Sequence, residues 1–203
     1  MRHFLTVFSG GLSHAIIAAA YVVCHGLTAM VVTPVQNMFL PEITIFASLA
    51  YLPHGVRVLA IWLFGWRACL SLAVGTLVAD AMFTSANIRE MLEPLLLKSV
   101  AVGVLSSLAA FELLRLSGRN FYSGQARRMS WAGVLTVGAL ASLLNSLGQS
   151  VVFSGIIFPD DQLTVLTVYA VGDMIGLMLC MFGLMLIFRW MRLRQETLRD
   201  RDR

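Results

Sequence analysis

The sequence predicts an all-α integral membrane protein, a bundle of about six transmembrane helices with one helix broken at Pro53-Gly55. Of its 203 residues, 58% are hydrophobic and only 13% are charged, which is far from the balance of a soluble domain. This length admits about six spans of about 20 residues with short connections. Within one apolar run a proline and a glycine stand close to Arg57, and Asp80 follows in the next apolar segment.

Prolines set the bounds of the first two predicted helices. The first helix covers residues 12–32 and ends before Thr33-Pro34, because proline disfavours helical geometry in the residue that precedes it. The second, residues 43–66, is interrupted by Pro53-His54-Gly55, and we predict a short half-helix, a turn and a second helical piece. Broken helices occur in membranes where protein or a cavity satisfies the freed backbone groups, so the break marks a candidate site.

The remaining helices follow from apolar runs separated by polar loops. Pro94 suits the first turn of a helix, and Pro159 with the two aspartates after it forms an acidic turn. We predict one transmembrane helical domain, residues 1–190, and a short polar cytoplasmic tail, residues 191–203. The last four predicted helices cover residues 68–83, 94–115, 130–157 and 163–189.

The distribution of basic residues predicts the orientation. Twelve of the 15 lysines and arginines fall in or beside the segments assigned to one side, which explains the net charge of +4 without nucleic acid as a partner. By the positive-inside rule both termini are cytoplasmic, and the acidic loops at Glu42, Glu90 and Asp160 face outward. The predicted location is the bacterial inner membrane.

Several kinds of chemistry have no support in the sequence. It contains no nucleophile with a base, no HExxH and no phosphate loop, so we predict no catalytic residues and no cofactor. Cys24, Cys69 and Cys180 lie in predicted spans without CxxC spacing, which predicts neither a disulfide nor a metal site.

The histidines of the first helix raise the possibility of haem. His14 and His25 are eleven residues apart, hence on nearly the same helical face, but too far apart to bind one iron. Only His54 could pair with either of them from another predicted span. Hydrogen bonding between helices is therefore the favoured interpretation, and a b-type haem protein the weaker alternative.

Polar residues of separate helices are predicted to meet in the outer half of the membrane. At a rise of about 1.5 Å per residue, Asp173 lies roughly 15 Å below the outer end of the last helix. Asn145 and Gln149 are four apart and therefore share one face of the fifth helix. The predicted ligand-binding residues are His54, Arg57, Asp80, Lys98, Asn145, Gln149 and Asp173.

Two interpretations of these residues stay open. Arg57 and Lys98 bind an anionic or polar ligand in a cavity while Asp80 and Asp173 hold them in place, since a planar guanidinium grips a carboxylate with two hydrogen bonds. Alternatively, Arg57 pairs with Asp173 or Asp80 and only locks the bundle. For Lys98 the favoured alternative is extension to the membrane interface, and for Asn145 and Gln149 it is interhelical hydrogen bonding.

A pair of glycines surrounds Asp173. Gly172 and Gly176 form a GxxxG pattern, which lets another helix approach closely. The pattern also suits a structural assembly factor that packs against a larger membrane complex.

Short motifs give the chain a resemblance to a known family. They are Pro53-His54-Gly55-Val56, Leu63-Phe64-Gly65-Trp66-Arg67, residues 75–80, and Gly172-Asp173-Met174-Ile175-Gly176. In the order and approximate position of these motifs, the chain resembles the MASE-type membrane-associated sensor domains of bacteria. Those domains precede histidine kinase or cyclic-di-GMP modules. About half of the chain is covered.

The resemblance implies a sensory function with some departures. His54 and Arg57 occupy positions that are small or apolar in the family, and Asp80 stands where an amide is more usual. The chain also has fewer predicted spans than the family and no output domain. As a stand-alone, shortened relative it would transmit its signal through a membrane or cytoplasmic protein partner.

Three functions are carried forward from the sequence. The first is a non-enzymatic inner-membrane ligand-binding or sensory protein, surrounded by membrane lipids, with a polar cavity that signals through a partner. The second is a small-solute transporter or the substrate-capture subunit of an uptake system, which a broken helix and an outward polar site also fit. The third is an assembly factor of a larger membrane complex.

Overall fold

The computed structural model describes residues 11–39, 48–84, 86–124, 131–153 and 162–201, with side chains described in these ranges except at 86–94, 162–166 and 195–201. All regular structure in these ranges is helical, as the apolar runs predict. The seven α-helices are α1 Gly11–Leu27, α2 Thr33–Phe39, α3 Leu52–Phe64, α4 Ala68–Phe83, α5 Ala86–Leu116, α6 Trp131–Val152 and α7 Gln162–Arg201.

Five helical stretches of the described chain are long and apolar enough to cross a membrane. The multi-pass character predicted from composition is therefore supported, whereas the predicted count of six spans is not confirmed. The difference arises at α3 and α4, which follow each other within one apolar stretch, Leu52–Phe83.

The first predicted helix does not end at Val32. It passes through a π-helical turn, Thr28–Val32, and continues as α2 to Phe39. In this turn the N–H of Thr33 donates to the carbonyl oxygen of Thr28, five residues earlier. The wider turn precedes Pro34, whose ring and missing N–H do not fit a regular helix interior, and so allows the helix to continue.

The predicted break at Pro53-Gly55 is not confirmed. Pro53 lies in the first turn of α3, and His54 and Gly55 continue that helix without interruption. The first turn tolerates proline because its N–H has no partner within the helix. The non-helical backbone is instead Ser48–Tyr51, just before α3. The half-helix predicted from residue 43 lies mostly outside the described residues.

α3 and α4 run in opposite directions. Near the C-terminal end of α1, Thr28 accepts a hydrogen bond from the N–H of Leu52, at the start of α3. A Cβ at Gly26, in the same region, would lie 2.7 Å from the ring of Phe83, at the end of α4. The chain reverses between them at Gly65, which has φ 61°, a conformation that favours glycine.

Two further helix bounds differ from the prediction. α5 begins at Ala86 rather than at Pro94, because residues 86–93 include good helix formers such as Arg, Glu, Met and Leu. α7 continues to Arg201, so most of the predicted polar tail, residues 191–203, is helical. Arg194 lies over the ring of Trp190, at 4.9 Å from its centroid.

α3 lies at the centre of the bundle. It packs against α1, α5, α6 and α7, whereas α4 packs mainly against α1 and α5. The buried apolar core includes Tyr21, Ile61, Leu72, Phe111 and Leu177.

The connection after α5 closes one end of the core. Tyr122 stacks on Phe111 with ring centroids 4.8 Å apart and donates a hydrogen bond of 2.7 Å to Glu112. Burial, reinforced by this hydrogen bond, raises the pKa of Tyr122 and keeps it protonated as the donor. The N–H of Ser123 donates to the carbonyl oxygen of Trp62, 2.9 Å away, so the connection is fixed to the end of α3.

Candidate functional site

His54 and Asp173 meet in the interior of the bundle. Each is 1% exposed, and His54 Nδ1 lies 3.4 Å from Asp173 Oδ2, an electrostatic contact without hydrogen-bond geometry. Ser142 of α6 donates a hydrogen bond of 2.9 Å to the same carboxylate oxygen. The other ring nitrogen of His54 lies 3.2 Å from the carbonyl oxygen of Gly138, also in α6. One carboxylate thus joins α3, α6 and α7.

Arg57 lies three residues after His54 and is held by two tyrosines. Its Nη2 donates to the hydroxyl of Tyr21 at 2.7 Å and to that of Tyr51 at 3.4 Å. The guanidinium carbon also lies 5.5 Å and 5.6 Å from the two ring centroids, which is within cation–π range. A Cβ at Gly103 would lie 3.0 Å from the guanidinium, so a side chain there would require the guanidinium to shift.

The two buried charges interact without touching. Arg57 and Asp173 attract each other electrostatically but form no ion pair with each other; Asp173 Oδ2 instead lies 3.4 Å from His54 Nδ1 and accepts a hydrogen bond from Ser142. The direct Arg57–Asp173 pair that the sequence offered as a structural alternative is therefore not formed. We call His54, Arg57 and Asp173, together with Tyr21, Tyr51 and Ser142, the buried charged cluster.

The irregular segment Ser48–Tyr51 lies against the glycines of α7. A Cβ at Gly172 would overlap the carbonyl oxygen of Ser48, and a Cβ at Gly176 that of Tyr51. The N–H of Tyr51 donates to the carbonyl oxygen of Gly172 at 2.9 Å. The two glycines of the GxxxG pattern thus pack against the non-helical segment Ser48–Tyr51, whereas the sequence predicted that a second helix would pack there.

Side chains of the first helical stretch satisfy the rest of this backbone. Gln36 Oε1 accepts from the N–H of Leu49 at 2.7 Å. Thr28 Oγ1 lies 3.5 Å from the carbonyl oxygen of Ala50 and 3.3 Å from the N–H of Leu52. Because unpaired backbone groups are costly in an apolar medium, these contacts make the irregular segment possible inside the bundle.

α6 presents a row of polar side chains beside the cluster. Ser142, Asn145, Ser146 and Gln149 have the spacing of one helical face, and the first three are buried. Gln149 Nε2 donates to the carbonyl oxygen of Ser99 at 3.1 Å, which sets the antiparallel register of α5 and α6. In this register Asn145 and Ser146 of α6 lie at the level of Gly103, the α5 residue that contacts Arg57.

Several buried polar atoms in this region have no partner among the described residues. They belong to α3, α5 and α6 and have almost no exposed surface. These atoms are Arg57 Nε, Ser107 Oγ, Asn145 Oδ1, Ser146 Oγ and Gln149 Oε1. Ser107 is 0% exposed and Ser146 is 2% exposed, so their hydroxyls lack access to bulk solvent.

Two of the predicted ligand-binding residues are not brought into the cluster. Asp80 is half-buried on α4, and its carboxylate attracts Arg57 electrostatically but has neither a hydrogen bond nor an ion pair with the side chains that the structure describes. Lys98 is exposed on α5. Asn145 lies beside the cluster, and Gln149 lies about one turn further along α6.

The other histidines and the cysteines have local roles. His14 Nδ1 lies 2.6 Å from Ser71 Oγ, an interhelical hydrogen bond of the predicted kind. His25 packs between aromatic rings, with centroids 6.3 Å from Tyr21 and 5.9 Å from Phe83. Within the described ranges no group of three metal-binding side chains is found. The three cysteines are free thiols, and that of Cys180 donates a hydrogen bond of 3.4 Å to the carbonyl oxygen of Leu52.

Three members of the cluster were missed from the sequence. Tyr21 and Tyr51 flank Arg57 only in space, and tyrosine in an apolar run has no distinctive pattern. Ser142 did have a signal, since it stands three residues before Asn145 on the face already assigned as polar. Extending that face by one turn would have included it.

Comparison with protein-family models, with curated proteins and with solved structures finds no match to this chain. The resemblance to MASE-type sensor domains therefore stays a prediction from short motifs.

Proposed function

We propose that the protein is an inner-membrane ligand-binding or sensory protein, in which the buried charged cluster and the polar row of α6 hold an anionic or polar small molecule. The observation that carries the proposal is the set of buried, unpartnered polar atoms on α3, α5 and α6, which includes Arg57 Nε. A buried polar atom without a partner costs about 1–3 kcal/mol, so several at one level point to a group outside the chain that satisfies them.

The chemistry of these atoms defines the class of ligand. Arg57 Nε offers an N–H donor, Ser107 and Ser146 offer hydroxyls, and Asn145 Oδ1 offers an acceptor. A small carboxylate or phosphate ester with a further hydroxyl satisfies this combination. The guanidinium is already held by two tyrosines, which reduces the entropy it loses on binding.

α7 connects the cluster to the basic end of the bundle. Asp173 belongs to this helix, which continues without interruption to Arg201. A ligand that changes the contacts of Asp173 with His54 and Ser142 biases the packing of the whole helix. Signalling to a partner protein requires two packings of α7 with different ligand affinity.

The proposed topology has six crossings with both termini in the cytoplasm. The reversal at Gly65 supports α3 and α4 as two short antiparallel crossings. The arginines at the ends of α5 and α7, together with Arg67, support the cytoplasmic assignment. In this orientation the Gln149 end of α6 faces outward and gives the ligand its entry.

Thermal unfolding of the purified protein in detergent tests the proposal. A panel of small carboxylates, phosphate esters and uncharged polyols is added to the wild type and to the Asn145→Ala/Ser146→Ala double variant. Loss of these hydrogen bonds is expected to weaken binding of the stabilising ligand about tenfold or more. The unliganded variant should keep its stability, because neither removed oxygen has a described partner.

Thr136→Ala is the matched control on the same helix. Its hydroxyl is exposed and donates only to the carbonyl oxygen of Ala132, at 2.9 Å, so ligand binding should not change. Equal stabilisation of the double variant and the wild type would refute the proposed site. A wild type that no anion of the panel stabilises would refute the ligand class.

Transport is the second candidate, favoured by the irregular Ser48–Tyr51 backbone inside the bundle. Such segments occur in transporters where broken or extended backbone lines a substrate site. Uptake of the stabilising ligand into proteoliposomes, alone or with an energising partner, distinguishes the two functions. Accumulation abolished by Asn145→Ala/Ser146→Ala would replace the sensory function with transport.

A further inference from the structure

A groove opens on the surface of the bundle between α4 and α5. Its volume is about 630 Å³, within the usual range of small-molecule sites. The walls are apolar and include Leu70 of α4 with Val104 and Leu105 of α5. Small residues, Ala73 and Ala101, contribute to its depth.

One end of the groove has different chemistry. His14, Trp66 and Arg67 line it there, next to the turn that joins α3 and α4. Trp66 is 70% exposed, as is typical of tryptophan at the boundary between a membrane and water. The groove therefore has a long apolar part and a short basic, aromatic end.

Arg67 has no acidic partner in the part of the chain that the structure describes. The acid–base contacts found there are His54 with Asp173 and Arg115 with Glu112, and Arg67 takes part in neither. The guanidinium of Arg67 is exposed beside the groove. Its charge is thus available to an anion that lies at the membrane surface.

We propose that this groove, which we call the α4–α5 groove, binds an anionic phospholipid. One acyl chain lies between α4 and α5, over Ala73 and Ala101, and the phosphate lies against Arg67 with Trp66 beside it. Only an amphipathic molecule with an anionic head matches an apolar groove with one unpaired cation at its end. Basic sites between membrane helices bind anionic headgroups in this way on the cytoplasmic side.

The site is independent of the buried charged cluster. The exposed groove lies between α4 and α5, whereas the cluster consists of residues on or beside α1, α3, α6 and α7 and meets α5 at Gly103, which does not line the groove. The proposal thus stands or falls without regard to the function of Arg57 and Asp173.

Lipid retention measured by native mass spectrometry tests the site. The full chain is purified in detergent and exposed to phosphatidylglycerol or phosphatidylcholine with identical acyl chains. We expect the wild type to retain phosphatidylglycerol preferentially, and Arg67→Gln to lower this retention about fivefold, as expected for one basic residue near an anionic headgroup. Ala101→Phe fills the groove and should reduce retention of both lipids.

Two control variants separate this site from general effects. Arg192→Gln removes the same charge from an exposed position on α7, and Leu143→Phe enlarges an exposed side chain on α6. Neither should change lipid retention. Equal loss in Arg67→Gln and Arg192→Gln, or no loss in Ala101→Phe, would overturn the proposal. A change from dimer to monomer in Ala101→Phe without loss of lipid would also overturn it and assign the groove to a second copy of the chain.

Discussion

α3 and α4 are consecutive helices of 13 and 16 residues, and each carries one fixed charge within an apolar sequence. Arg57 of α3 is 5% exposed and hydrogen-bonded to two tyrosines, whereas Asp80 of α4 is half-buried and its carboxylate attracts Arg57 without a described hydrogen bond or ion pair. Nine residues of α3 are buried but only six of the longer α4. The position of a helix in the bundle, more than its local sequence, thus decides whether an intramembrane charge belongs to a site.

The largest expected difference in stability is between variants of two carboxylates: Asp173, which contacts His54 of α3, and Asp80, which belongs to α4. Asp173→Ala leaves the Ser142 hydroxyl and the His54 ring buried without their shared partner, and we expect a loss of about 3 kcal/mol of stability. Asp80→Ala removes no described contact and should cost less than about 1 kcal/mol. Unfolding of both variants in mixed micelles gives the two values.

Asp173→Asn refines this comparison. The amide keeps the shape and one acceptor oxygen, so it should recover part of the stability lost in Asp173→Ala. Similar losses in Asp173→Ala and Asp80→Ala would mean that the cluster does not hold α7 and that the central position of α3 has no energetic consequence.

Three members of the cluster could be identified from the sequence, because burying an ionisable side chain in an apolar segment costs free energy and such residues are therefore noticeable. Asp173 was identified on that ground, and His54 and Arg57 also because they stand beside the expected break at Pro53-Gly55. The same argument placed Asp80 and Lys98 in the site as well. Whether a charged residue lies there depends on the arrangement of the helices, which does not follow from hydropathy. Only the bundle puts α4 at the periphery and turns Lys98 outward.

The backbone before α3 shows a second limit of sequence reasoning. Proline and glycine at positions 53 and 55 predicted a break that is not confirmed, because proline not only interrupts helices but also begins them. The choice depends on partners distant in sequence, since Gln36, Thr28 and Gly172 satisfy the groups of Ser48–Tyr51. A local pattern has no information about these partners.

A smaller effect on stability is expected at Gly176, where α7 packs against the backbone of Ser48–Tyr51. Gly176→Ala places a methyl group against the carbonyl oxygen of Tyr51, which should cost about 2 kcal/mol and displace the segment that holds Arg57. Gly183→Ala on the same helix is the control, because nothing lies within 4 Å of its Cβ position. It should be neutral or stabilising by up to about 1 kcal/mol, since alanine favours the helix.

Ligand binding adds a second measurement to this pair. The unfolding midpoints of Gly176→Ala and Gly183→Ala are recorded with and without the stabilising anion. Reduced affinity in Gly176→Ala alone would connect the packing of α7 to the site around Arg57. Equal stability of the two variants would show that Tyr51 moves away freely and that α7 does not fix this segment.

The smallest expected effect belongs to the only lysine of the chain. Lys98→Gln removes a charge that is exposed on α5 and has no described ion pair, so stability and anion affinity should both equal those of the wild type within error. Arg57→Gln, measured by the same ligand titration, should abolish binding. If Lys98→Gln instead weakened binding as strongly, the anion would lie near the surface of α5, and burial would no longer distinguish the residues of the site from the other charges of the bundle.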